Sequence, residues 1–373
     1  MKQTRVVLAG FYPPPYAGEP IHVKQLGEFL RDRGLLVETL NLNRHAPASA
    51  EYRSATKPWT LAWLLLALPG RSSILHLHTN GHNWKSWVMI LAAALGSRGR
   101  RTRTLLTIHS GLFPGYVSRL GPVGRRLAGW ILGSFSSVIA VNPEIAGAMR
   151  HLGLPEGRLA LIPAFLGVRE VGDLEAPDRA LLDGRHPLLV AVGGGDRDPE
   201  MGMPTVIEAL PSLIGAFPSL CAVFVGWQVG PKTRPLIEAR KLGAHAVCLG
   251  ELSHERCLQF LQRADVVVRS TFADGDAITV REALDLGVPV VASDTAFRPE
   301  GVVLFRKGDS QDLADKLLKV LSANKSRPDR SVGMGGPAQE LWRIYSDLVG
   351  ADFRLMSSAP PPGGHPRTSA SPP

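Results

Sequence analysis

Twice along this chain, short and almost uninterrupted apolar runs alternate with stretches of helical periodicity. That pattern constrains the fold more than any other feature. In the first half, Arg5–Gly10, Leu36–Leu42, Ser73–His78, Thr104–Ile108, Ser137–Val141 and Leu159–Pro163 read as strands. Helices fit at Ile21–Arg33, Asn83–Leu95, Val123–Gly133 and Pro143–Leu152. The pattern restarts at Pro187–Val192 and continues through Leu220–Val225, Ala246–Leu249, Asp265–Arg269, Pro289–Ala292 and Val302–Phe305. Between these strands, helices fit at Thr205–Phe217, Arg234–Leu242, Ser253–Arg263 and Ile278–Leu286. Val- and Leu-rich runs without polar alternation belong to strands covered on both faces, hence to parallel sheets. Strand–helix alternation repeated twice predicts two doubly wound α/β domains.

A length of 373 residues accommodates two such domains. Residues 1–168 form the first and residues 187–330 the second, with a Gly-, Asp-, Glu- and Pro-containing linker over 169–186. Asp309–Leu321 reads as a terminal helix, and residues 337–353 as a last helix returning toward the first domain. Residues 356–373, rich in Ser, Pro and Gly, cannot form a core and read as a disordered tail. The longest apolar runs, Leu61–Leu68 and Trp87–Leu95, are about half the roughly 20 residues that a spanning helix requires. The segment before Val6 is too short for a signal sequence, and Cys221, Cys248 and Cys257 are odd in number without metal-ligand spacing. A cytoplasmic protein with reduced thiols is expected.

The net charge of +9 is unevenly divided, residues 1–170 carrying +12 and residues 171–373 carrying −3. Arg98, Arg100, Arg101 and Arg103 form one basic cluster, and Arg119, Arg125 and Arg126 a second, interleaved with Leu120, Val123, Leu127, Trp130 and Ile131. A basic amphipathic stretch of that kind can lie on an anionic membrane surface or form a solvated helix face. Nucleic acid is not expected as a partner, because no stacking platform accompanies the charge.

Ligands of open parallel sheets bind outside the carboxyl ends of the strands. The loops there carry the chemistry, and the most informative runs from Asp265 to Ser293. It reads strand, loop, helix, strand. Asp274 lies in the loop and Glu282 eight positions later in the helix, with Gly275, Asp276 and Ala277 turning into the helix N-terminus. Free amides there attract a phosphate or a sugar edge, and carboxylates accept hydrogen bonds from sugar hydroxyls. Asp274-Gly275-Asp276 could be taken for a metal-binding Asp-x-Asp, but it enters a helix, so no metal is assigned. Gly193–Gly195 lacks the spacing of a dinucleotide loop, which argues against a dehydrogenase.

The segment resembles the Glu-x7-Glu signature of retaining glycosyltransferases with the two-domain GT-B fold, family GT4 (group 1). Ser270, Gly275, Glu282, Ala283, Gly287, Pro289, Val290 and Val291 match it. The resemblance covers most of residues 1–325 and implies two Rossmann-like domains facing a cleft. It implies sugar transfer with retention from a nucleotide-sugar, such as a UDP- or GDP-sugar, without a further cofactor. Gly18, in the loop after the first strand, matches the glycine that admits donor phosphates. His109 matches the histidine facing the transferred sugar, and Glu251 lies in the loop that reads the base. Ser270, Gly275, Asp276, Ala277 and Glu282 complete the donor contacts. His76 and His78 alternate on one strand, so at most one should face the cleft, and both are read as structural. Glu144 could either cap its helix or face the cleft.

Three positions depart from the family. Asp274 replaces a Glu, Arg269 replaces a Pro, and Met201 stands where a Lys clamps the diphosphate in the loop containing Gly194. Arg269 and Arg197 are then the cations available to the leaving diphosphate. The implied acceptor is a saccharide, such as a polyprenyl-linked one, in cell-surface polysaccharide synthesis. The alternatives are a non-catalytic partner subunit and a sugar-nucleotide epimerase or phosphorylase of the same architecture.

Overall fold

The computed structural model describes residues 4–66, 73–98, 102–193, 202–227, 229–231, 233–323 and 336–349. Arg197, Gly194 and Met201, like the 356–373 tail, lie outside these residues.

The first sheet has seven parallel strands in the order β3-β2-β1-β4-β5-β6-β7. They are β1 (Arg5–Gly10), β2 (Leu36–Asn41), β3 (Arg53–Ser54), β4 (Ser73–Thr79), β5 (Arg103–Ile108), β6 (Ser137–Ala140) and β7 (Leu159–Leu161). The helices between them are α1 (Gly18–Arg31), α2 (Pro58–Leu66), α3 (Trp84–Arg98), α4 (Phe113–Ser118), α5 (Pro122–Leu132) and α6 (Pro143–His151). After α7 (Ala176–Leu182) the second sheet begins, with order β10-β9-β8-β11-β12-β13. Its strands are β8 (Leu188–Val192), β9 (Cys221–Val225), β10 (Ala246–Gly250), β11 (Val266–Arg269), β12 (Val290–Ser293) and β13 (Val303–Phe305). Its helices are α8 (Met203–Ala216), α9 (Thr233–Ala239), α10 (His254–Arg263), α11 (Ile278–Asp285) and α12 (Ser310–Ser322), followed by α13 (Gly336–Val349). The two doubly wound parallel sheets of the sequence reading are both present.

Every residue of β4, β8 and β9 is buried, and in β8 and β9 the buried run is continuously apolar, as strands between helical layers tend to be. One core cluster joins Leu61 of α2, Ile90 of α3 and Ile131 of α5 to the underside of the first sheet and continues into the second domain. On the opposite face, α1 and α13 enclose Leu8, Phe29, Leu341 and Tyr345. There the Arg33 guanidinium lies 3.6 Å from the Phe29 ring centroid, and Phe29 meets Trp342 edge-on.

The stretch 169–186, read as a plain linker, contains α7. Its Asp178 is buried and takes two 2.6 Å hydrogen bonds from Arg256 of α10, which ties the connection to the second domain. The β3–α2 segment and α4 were not expected either.

Topology sets where a ligand can bind. The strand order reverses beside β1 in the first sheet and beside β8 in the second. Crevices open at the carboxyl ends of these strands.

Candidate active site

The loops at the two crevices meet directly. The carbonyl of His109, just past β5, lies so close to Gly275 that a Cβ there would sit 1.7 Å from the oxygen. Reciprocally, a Cβ on Gly111 would fall 2.0 Å from the Asp274 carbonyl oxygen. Only glycines allow backbone to approach backbone this closely. Asn142 adds a clasp. Its Oδ1 accepts from the Ile145 amide to cap α6, while its Nδ2 donates to the Gly275 carbonyl. Glu144, considered for the cap, is exposed in the first turn, because the shorter Asn142 already fills the capping position.

Asp276 belongs to the same seam. Its carboxylate receives Arg281 Nε at 2.6 Å and the Ala164 amide at 3.0 Å, the latter from the other domain. Burial is the main influence on it and raises its pKa against the pull of Arg281. Its side chain therefore joins the domains rather than facing an open cleft. Ala277 is the buried N-cap residue of α11 and supplies no side-chain cap to that helix.

Asp274 sits between two guanidiniums. Arg269, at the end of β11, donates through Nη2 at 2.6 Å and Nε at 3.1 Å. Arg298, beyond β12, donates through Nη1 at 2.6 Å, and Thr271 Oγ1 adds a further bond. Burial alone would raise the Asp274 pKa, but Arg269 and then Arg298 outweigh it and hold the carboxyl well below its usual range. Asp274 is thus a permanent carboxylate, unsuited to act as a general acid. Arg269 Nη1 also donates to the Val192 carbonyl, at the root of the loop that contains Gly194 and Arg197. Ser270 is buried beneath the far end of that loop, where Gly202 adopts positive φ and would place a Cβ 2.1 Å from the Ser270 carbonyl oxygen. Arg298, like His22 and His254, is a candidate that the sequence did not single out.

Glu282 is 2% exposed and accepts a 2.6 Å hydrogen bond from His254 Nε2 at the start of α10. Burial lowers the His254 pKa, but the charge and hydrogen bond of Glu282 exceed it, so the net shift is upward. His254 in turn lines a cleft of about 760 Å³ between the domains, along with Tyr16, Lys24, Glu28, Arg169 and Ser253. Glu251 reaches across the seam and accepts the Tyr16 amide at 2.7 Å, while Gly18 opens α1 close to Ile278, whose Cδ1 a Cβ would meet at 3.9 Å.

On the first-domain side, four imidazoles gather. His76 and His78 lie on the same face of β4, their ring centroids 4.0 Å apart. The premise that the two point to opposite faces fails, because residues two apart on a strand share a face; both side chains are fully buried. His76 bonds Tyr345 of α13 and Thr107 of β5, each at 2.7 Å. His78 Nδ1 meets His109 Nε2 at 3.1 Å, and His22 Nδ1 donates to the Ala164 carbonyl at 3.0 Å. Burial, reinforced by the neighbouring imidazoles, pushes His76, His78 and His109 well below the usual histidine range, and burial takes His22 to about 4. All four are neutral at physiological pH, so each pairs one N–H donor with one acceptor nitrogen. His22, His78 and His109 each offer a nitrogen within 4.8 Å of the others.

This geometry defines a two-domain α/β protein with its polar residues gathered at apposed strand ends, and comparison with known proteins gives the class a name. Residues 3–164 match the glycosyl transferase 4-like domain and residues 179–331 match glycosyl transferases group 1. The second domain belongs to the group 1 glycosyl transferases and the first to the glycosyl transferase 4-like domains. Among solved structures it is similar to sucrose-phosphate synthase from Thermosynechococcus elongatus, with 19% identity and a TM-score of 0.67, covering 93% of this chain and 99% of that one. It is also similar to HepE of Anabaena in complex with UDP and glucose, with 16% identity and a TM-score of 0.64, covering 95% and 97%. A glycosyltransferase from Rickettsia africae gives 13% identity and a TM-score of 0.64, covering 93% and 94%. These neighbours establish the GT-B fold. A search of curated proteins finds no match.

Proposed function

We propose that this glycosyltransferase moves a sugar from a nucleotide-sugar donor to an acceptor hydroxyl with retention of configuration. The observation that carries this reading is the juxtaposition, at the seam of the two crevices, of the Asp274–Ala277 loop with His109. The second domain holds the nucleotide, Glu282 and His254 together offering hydrogen bonds to the ribose. The amides of Gly275–Ala277 and the neutral His109 address the sugar. Arg269 and Arg197 supply counter-charge to the leaving diphosphate. Among the described residues Asp274, the carboxylate of this loop, is engaged by Arg269, Arg298 and Thr271 rather than free as a nucleophile, which suits a route in which the departing phosphate helps deprotonate the acceptor. HepE of Anabaena was crystallised with UDP and glucose, so UDP-glucose is the first donor to test. The basic first domain suits an anionic acceptor, such as a polyprenyl-diphosphate saccharide on the cytoplasmic side of a membrane, in surface-polysaccharide assembly.

One observation favours a second reading. Asp274, Asp276, Glu282 and Glu251 are all engaged by other residues of this chain. A subunit that retains the architecture without turning over would look the same. Release of nucleoside diphosphate from a panel of UDP-, GDP- and ADP-sugars separates the two readings, with the anomeric proton coupling of any product testing retention. Acceptor-dependent release with a retained anomer supports the proposal. No release from any donor by well-folded protein supports the subunit, and an inverted product removes the retaining mechanism.

A further inference from the structure

Three neighbouring helices of the first domain bury one side and leave a second apolar stripe in solvent. On α2, Leu61 is buried, whereas Trp59 and Trp63, one turn apart, are 67% and 68% exposed. On α3, Ile90 and Ala93 are buried, whereas Trp84 is 67% exposed and Val88 and Leu95 continue its exposed edge. On α5, Ala128, Ile131 and Leu132 are buried, whereas Val123, Leu127 and Trp130 are exposed at a spacing of one turn. α2 packs on α3 and α3 touches α5, and their inner residues share one core cluster. The exposed stripes therefore stand on the same face of the first sheet, opposite α1 and α13.

The charge of this region has one sign. Between Glu51 and Glu144 there is no Asp or Glu, while eleven Lys and Arg occur. Among them, Lys57, Lys85, Arg119 and Arg126 are exposed on or beside the three helices, with Lys57 Nζ 5.4 Å from the Trp59 ring centroid. Such a face combines apolar ridges, amphipathic indole rings and cations without a counter-charge. Tryptophan is favoured at the level of lipid headgroups, and basic amphipathic helices lie in that layer over anionic lipid. A second copy of this chain fits poorly, since a two-fold contact would press the basic face against itself. No helix among the described residues is long and apolar enough to cross a membrane.

We infer that the α2–α3–α5 face seats the protein on an anionic phospholipid bilayer, with Trp59, Trp63, Trp84 and Trp130 entering the headgroup layer. Sequence reading pointed only to the α5 stretch; the tryptophan ridges of α2 and α3 extend it to a surface. The inference does not depend on turnover, because a catalytic enzyme and a silent subunit would dock in the same way.

The test is co-sedimentation of the full chain with phosphatidylglycerol–phosphatidylcholine vesicles and with phosphatidylcholine vesicles, without donor. The wild type should pellet with the anionic vesicles, about tenfold more weakly with the neutral ones, and less as salt rises. Its tryptophan emission should shift to the blue on binding. The double variant Trp59→Ser/Trp63→Ser should lose about tenfold in partition. Lys57→Glu/Lys85→Glu, at exposed sites with little bearing on folding, should lose binding to anionic vesicles selectively. The inference is overturned if neither vesicle binds, or if both variants bind like the wild type. It is also overturned if light scattering finds a reversible dimer that the tryptophan substitutions dissolve, which would assign the face to a second copy.

Discussion

Arg298 Nη1 donates to Asp274 Oδ2 at 2.6 Å, although 24 residues separate the two in sequence. Both side chains are nearly buried, and Arg298 also bonds Thr271 and the carbonyl and hydroxyl oxygens of Ser293. Thus the residue at the first acidic position of the family signature is fixed by a cation from the next strand's loop. Arg298→Ala should destabilise the second domain by about 2 kcal/mol, because it removes a charge-assisted hydrogen bond from a buried carboxylate that Arg269 continues to pair. Urea unfolding would measure this, and a loss below about 1 kcal/mol would show that the pair is not a structural element.

Gly275 holds the seam shut by having no side chain. Gly275→Ala places a methyl against the His109 carbonyl. The domains must part or the loop must shift, at about 1–3 kcal/mol. Small-angle scattering should show a larger radius of gyration for the variant than for the wild type. An unchanged radius together with unchanged stability would contradict the close contact.

The His254–Glu282 pair gives stability a pH dependence. His254 has a folded pKa above its ordinary 6.5, through Glu282. Its contribution is therefore complete below the unfolded value and lost as pH rises through the folded value. The difference in melting temperature between wild type and His254→Gln should be largest at mildly acidic pH and shrink on the alkaline side. A difference that stays constant or grows with pH would refute the pairing.

Tyr345 anchors α13 to β4 through His76. Burial pushes its hydroxyl pKa well above the usual tyrosine value, so it remains a donor or acceptor without charge. Tyr345→Phe leaves a buried imidazole nitrogen unpaired and should cost about 1–3 kcal/mol in urea unfolding. A cost near zero would mean that water replaces the hydroxyl.

Much of the fold was legible because fully covered parallel strands advertise themselves. Leu188–Val192 and Cys221–Val225 contain no polar residue other than the thiol, and only a strand between two helical layers tolerates that. Helix α2 escaped notice for the opposite reason. Its apolar run, Leu61 flanked by Trp59 and Trp63, shows no polar face, because one apolar side faces the core and the other faces solvent. At the site, Asp274 was legible from its loop after a strand, and His109 from the family resemblance. Arg298, His22 and His254 were not, since their partners are long-range: His22 bonds Ala164 and His254 bonds Glu282. The signal available for Arg298 was a cation in a loop after a second-domain strand, whereas Arg269 stood out by replacing the Pro of the family signature.

The central claim is that the second-domain crevice binds a nucleotide-sugar, with Glu282 among its contacts. Thermal shift against UDP-, GDP- and ADP-sugars, for the wild type and Glu282→Gln, tests it most directly. One donor should stabilise the wild type, by about 2.7 kcal/mol at a hundredfold excess over its Kd, and the variant markedly less. Equal stabilisation of both proteins, or of neither by any donor, would contradict it.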